Sequence, residues 1–171
     1  MDKEKANSPI RKFVNSHYSK IAIIEKISLA VFALGQILFW LKHSNLDFIL
    51  ITGSILLAVT YFLLSFRTIE IDTIKNTSSI GSIGIASFVY KISYWGLAVI
   101  SITFIFLALD LTAVNRLIII GGITTVLALF FSLKVQRDLK SKMFGALYYM
   151  RMTAFIFLLI VNAMVRFELI K

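Results

Sequence analysis

Few side chains in this chain could do chemistry, and their spacing keeps them apart. Cysteine is absent, which removes thiol, disulfide and thiolate–metal chemistry. Histidine occurs twice, at His17 and His43, with an apolar block between them that leaves them in separate polar segments. No Ser-His-Asp set, no paired carboxylates within an apolar run and no zinc-ligand spacing is present. Acyl transfer, acid–base catalysis and metal-assisted hydrolysis therefore have no visible residues to run on. The expectation is a protein that is not an enzyme, with no catalytic, cofactor or metal site. His43 beside Lys42 could hold an anion or titrate near neutral pH, but a turn histidine is ordinarily solvated.

The informative polar residues are those inside apolar runs, because an ionisable or amide group in hydrocarbon must find an internal partner. Glu25, Lys26, Lys91 and Arg151 sit within a turn or two of a run's end and can extend toward headgroups. Glu25 and Arg151, at similar depth, can also pair. Gln36 and Asn162 should share a depth nearer the opposite end, where an amide–amide hydrogen bond would contribute about 1 kcal/mol. With Thr103, Thr124 and Thr125 they are the groups able to line a polar path. Small residues recur at helical spacing: Ser54 with Ala58, Gly121 with Thr125, and Thr124 with Ala128 and Ser132. Such stripes let backbones approach closely, within one chain or between copies in a homo-oligomer.

Composition says what must position these groups. Of 171 residues 58% are hydrophobic, against roughly 45–50% in globular domains, and mean hydropathy is +0.87. A soluble domain of this length cannot bury that much apolar surface, so the lipid bilayer is the expected solvent. Several runs approach the ~20 apolar residues that cross the hydrocarbon core as a helix, whereas a β-barrel would alternate in shorter segments. The predicted fold class is all-α: a polytopic transmembrane helical bundle of about five spans in a single integral membrane domain. Residues 1–20 form a cytosolic arm, with Ser8 or Asn7 capping a helix that opens at Pro9. That helix is amphipathic, placing Ile10, Phe13, Val14, His17, Tyr18 and Ile21 on one face against the membrane surface. Hairpin 1 covers 21–66 with a turn at 42–45, a polar connector covers 67–87, hairpin 2 covers 88–134, and the fifth span covers 144–165. The Ser-Ile-Gly repeats before residue 85 read as flexible loop. Asp47 and Asp110 read as caps at the starts of the second and fourth spans.

The net charge of +9 is explained by its placement rather than by nucleic acid, which is not expected as a partner. The arm holds Lys3, Lys5, Arg11, Lys12 and Lys20, the connector region Arg67, Lys75 and Lys91, and the fourth-to-fifth loop region Lys134, Arg137, Lys140, Lys142 and Arg151. The alternate segments hold only Lys42, Arg116, and Arg166 with Lys171. The positive-inside rule then predicts N-terminus in and C-terminus out.

The stretch from Lys26 to Phe66 resembles the N-terminal transmembrane hairpin of the gliding-motility GldL family of Bacteroidota and its small relatives. Gly35, Phe39, Lys42 and His43 match the first helix and turn, and Gly53, Ala58, Ser65 and Phe66 match the second helix. The resemblance implies an inner-membrane hairpin of the kind that carries a proton on a buried glutamate of its second helix. Leu57 stands at that position here, and Thr125 near it in a second copy, so the scaffold carries over and the motor chemistry does not. Lys26-Ile27-Ser28 recurs as Lys91-Ile92-Ser93, which suggests two repeated hairpins in parallel sense plus a fifth helix. The expected function is a structural or interaction subunit without catalytic activity, with a membrane-protein partner or a second copy. The alternative is a transporter or ion-conducting subunit.

Overall fold

The computed structural model describes residues 8–42, 46–68, 80–139 and 144–166. The turn residues 43–45, connector residues 69–79, loop residues 140–143, the first seven residues and the tail from 167 lie outside the described residues. Six helices follow in order: α1 (Pro9–Ser16), α2 (Tyr18–Trp40), α3 (Asp47–Leu64), α4 (Ile80–Ala108), α5 (Val114–Leu139) and α6 (Ala146–Arg166). No strand occurs among the described residues. Five of the helices, α2 to α6, are long and apolar enough to cross a membrane, so the chain is an all-helical, multi-pass membrane protein.

The helices associate through seams set by residue spacing. Buried positions in α2 are Ile21, Glu25, Ser28, Phe32, Gly35 and Gln36, and in α6 Tyr148, Met152, Phe155, Leu159 and Asn162. Apart from Gln36, which adjoins Gly35, both series step by four and three residues, the period that keeps a narrow stripe facing a neighbouring helix. The remaining surface is left to lipid: Phe88, Phe130, Leu147 and Phe157 are each more than 60% exposed, far too much apolar surface for water. α4 differs, with 56% of its most apolar window buried against 28–39% in the other spans. It is the central helix, apolar on nearly all sides as an enclosed helix should be.

Within each hairpin a glycine sets the distance. A Cβ on Gly35 would lie 2.5 Å from the Leu50 backbone, and one on Gly53 would lie 2.6 Å from that of Phe32. In the second hairpin a Cβ on Gly96 would meet Thr125 Oγ1 at 2.6 Å, and Gly121 lies against Ile100 and Val99. Close backbone approach of this kind stands in for the hydrophobic effect, which does not drive helices together in lipid.

Several boundaries differ from the sequence reading, for local reasons. α1 does open at Pro9, with Ser8 Oγ accepting from Arg11 N at 3.3 Å. It then ends at His17 instead of continuing on one face through Ile21. Val14 is buried while Ile10, Phe13 and Tyr18 are exposed. Its polar side is engaged too: Asn15 Nδ2 donates to Thr68 Oγ1 at 2.9 Å, and Thr68 N donates to Asn15 Oδ1 at 3.1 Å. The Arg67 guanidinium stacks 3.5 Å over Tyr18, a cation–π contact. The arm is thus held to the exit of α3.

α4 starts at Ile80, so residues 80–84 of the Ser-Ile-Gly segment read as loop are helical backbone. The penalty of about 1 kcal/mol per glycine is outweighed by continuity with the long apolar helix that follows. Asp110 does not cap α5. It ends α4 in the left-handed region at φ 49, with its N–H on Leu107 O and Leu111 N–H on Phe106 O, the paired bonds of a Schellman motif. Asp47 is the first residue of α3 and makes no side-chain cap bond.

Gly53→Leu should separate α2 from α3 and lower stability by about 1–3 kcal/mol, the usual cost of overpacking. Gly84→Ala, where nothing lies within 4 Å of the added carbon, should be neutral or stabilising. Thermal unfolding in detergent, followed by circular dichroism, checks both.

Candidate functional site

α6 is the helix on which polar side chains from the rest of the bundle converge. It reaches α2, α4 and α5 mainly through long side chains, and the sequence supplies these at regular intervals. Glu25 and Gln36 are eleven residues apart in α2, as are Arg151 and Asn162 in α6. Eleven residues are three helical turns, about 16 Å along the axis, so both polar residues of each helix lie on one stripe. The like-numbered ends meet, which makes α2 and α6 parallel.

At one end Arg151 Nη2 donates to Glu25 Oε2 at 3.0 Å, and Arg151 Nε lies 2.8 Å from Glu25 Oε1. The second contact is an ion-pair distance without hydrogen-bond alignment. Arg151 Nη1 donates to Tyr94 Oη at 3.4 Å. Of the two outcomes expected for Glu25, extension toward the headgroups or pairing with Arg151, the structure shows the second: its side chain is only 3% exposed and turns into the bundle. An arginine fork at that depth offers the carboxylate more than partial hydration would. Arg151 keeps 24% of its side chain exposed, so the charge that reaches outward is the cation. Lys26 is exposed and Lys91 half-buried.

At the other end Gln36 Nε2 donates to Asn162 Oδ1 at 3.1 Å, and Trp40 Nε1 donates to the same oxygen at 3.3 Å. Asn162 Nδ2 in turn donates to Leu158 O at 2.8 Å, which fixes the amide. Between the polar pairs, Phe32 and Phe155 stack with ring centroids 5.5 Å apart. Phe155 also meets Tyr61 and Phe104 edge-on, so one α6 ring touches α2, α3 and α4. Such aromatic pairs are worth about 0.5–1.5 kcal/mol beyond their buried area.

Four further bonds stitch α6 to the second hairpin. Tyr148 shares a hydrogen bond with Ser93 in α4, and Tyr149 Oη donates to Gln136 Oε1 at 2.6 Å. Arg166 pairs with Asp110 at 2.8 Å and donates to Asn115 Oδ1 at 3.3 Å. Tyr61, Tyr90, Tyr94 and Tyr148 form a buried ring of phenols around the Glu25–Arg151 end. The Tyr61 and Tyr90 hydroxyls and Gln36 Oε1 have no hydrogen-bond partner among the described residues.

The small residues serve packing within the chain. Gly121 and Thr125 meet α4, and Ala128 and Ser132 continue the same buried stripe. Thr124 is half-buried beside that stripe. Ser54 is fully buried and Ala58 half-buried on α3, next to the closer approach at Gly53. Thr103 is buried and bonds its own helix at Val99 O, so it does not join Gln36 and Asn162 in a common path. Leu57 is fully enclosed in the apolar core. No group of three His, Asp or Glu residues able to hold a metal occurs among the described residues.

Sequence reasoning passed over Trp40, Tyr94, Phe155 and the Ser93–Tyr148 bond. The eleven-residue spacing shared by Glu25–Gln36 and Arg151–Asn162 was the pattern that could have located the whole α2–α6 seam.

Arg151→Leu leaves a buried carboxylate alone and should destabilise the bundle by about 3 kcal/mol or more. Glu25→Leu with Arg151→Leu should recover most of that loss, so the two substitutions couple strongly in a double-mutant cycle of detergent unfolding. Simple additivity would contradict the pairing. No family model, no curated protein and no solved structure matches this chain.

Proposed function

We propose that the chain is a structural or interaction subunit of the bacterial inner membrane, without catalysis of its own. The observation that carries this reading is the use made of its intramembrane polar groups. Arg151 bonds to Glu25 and to Tyr94, Gln36 to Asn162, and Ser93 to Tyr148, each across helices. Polar residues spent on holding helices together serve as glue in a membrane bundle. The resemblance of the first hairpin to the gliding-motility family supports a scaffold: Leu57, at the position of that family's proton-carrying carboxylate, is enclosed by apolar side chains. The Lys and Arg distribution supports an arm on the cytoplasmic side, where the basic segments meet anionic lipid. An impermeant thiol reagent that labelled Lys3→Cys from the outside of intact cells would reverse this orientation.

Purification of the full chain from its native membrane in mild detergent should retain one or more membrane proteins in stoichiometric amount. Recovery of an isolated chain, together with proton or solute flux in liposomes that is lost on Gln36→Leu, would overturn the subunit reading in favour of a conducting one.

A further inference from the structure

Where α2 and α6 end, the bundle opens a cleft of about 450 Å³ lined by Phe39, Trp40, Lys42, Asp47, Val161 and Val165. The volume falls in the range of small-molecule sites, which are concave and mostly apolar with a few placed polar groups. Among the described residues, four that line it are apolar and two carry opposite charges.

The polar and aromatic parts are held in place by the fold. Trp40 directs its indole N–H inward to Asn162 Oδ1 at 3.3 Å, yet the residue remains 41% exposed, leaving ring surface available beside the cleft. Lys42 occupies the left-handed residue after α2, at φ 58 with its N–H on Phe39 O. That geometry fixes the point from which its ammonium stem departs. Asp47 opens α3 across the turn. Because α2, α3 and α6 are membrane-length helices and the cleft lies at their ends, the surrounding medium is the headgroup layer, where tryptophan and lysine are the usual anchors.

We propose that this cleft binds one zwitterionic phospholipid whose headgroup carries a primary ammonium. An acyl chain lies along Phe39, Val161 and Val165, the phosphate meets Lys42, and the headgroup ammonium donates to the Asp47 carboxylate. A choline headgroup has the same net charge but no N–H to donate, and an anionic headgroup satisfies Lys42 while facing Asp47. The charge pair therefore ranks ethanolamine above both.

The chain has two tryptophans, so Trp95→Phe leaves Trp40 as the single emitter. This variant is reconstituted in phosphatidylcholine bilayers containing a small fraction of brominated-chain lipid with an ethanolamine, choline or glycerol headgroup. Brominated phosphatidylethanolamine should half-quench Trp40 at a several-fold lower mole fraction than the other two. Asp47→Asn should abolish the preference over choline. Lys42→Gly, a residue that this left-handed backbone favours, should abolish headgroup preference altogether. Equal quenching by the three lipids overturns the proposal. So does a preference for the anionic lipid, which would mark a cation-only site, or the absence of quenching by any, which would mean that protein covers the cleft.

Discussion

Hydrocarbon offers a polar side chain nothing, and this constraint organises the bundle. A carboxylate and an amide in α2 can be tolerated at depth only if another helix brings their partners to the same heights. α6 does so with Arg151 and Asn162, separated by the same three turns as Glu25 and Gln36. Matched spacing converts two separate requirements into one register: sliding α6 by a single turn would orphan both pairs together. The aromatic contacts of Phe155 then fill the space between two fixed points.

The two hairpins use a different physics. α2 with α3, and α4 with α5, are joined by short connections and drawn to near backbone contact at Gly35, Gly53 and Gly96. Dispersion over a long, smooth interface holds them, and it says little about register by itself. α6 approaches the others through larger side chains: arginine, asparagine, tyrosine and phenylalanine. A hairpin pair with glycine crossings and a closing helix with polar stitching divide the labour, one giving adhesion and the other giving a unique arrangement. The proposed lipid cleft lies where that arrangement leaves the ends of α2 and α6 unfilled, with Asn162 holding Trp40 at its edge.

Span number and the depth of the polar residues were legible in the sequence because they follow from hydropathy and a fixed rise per residue. The partnership of Gln36 with Asn162 was legible for the same reason, two amides at one depth. What escaped was whatever depends on which side of a helix faces inward. For Glu25 the pairing with Arg151 was legible as one of two outcomes near a span end, and only the rotation of α2 toward Arg151 decides it against extension to the headgroups. Asp110 has a residue type that favours both helix starts and left-handed helix ends, and the Leu111 to Phe106 bond decides between them. The glycines of the Ser-Ile-Gly segment carry a local preference for turns that the following apolar helix overrides. The small-residue stripe of α5 was visible as a stripe, but its partner, α4, was not.

The parallel register of α2 on α6 is the central claim, and the absence of native cysteine makes it directly measurable. Crosslinking in membranes with a short bifunctional thiol reagent would compare Gln36→Cys/Asn162→Cys with the offset pair Gln36→Cys/Met152→Cys. Efficient crosslinking of the first pair and none of the second is the predicted result. Crosslinking of the offset pair, or of neither, would contradict the register and with it the role given to the polar seam.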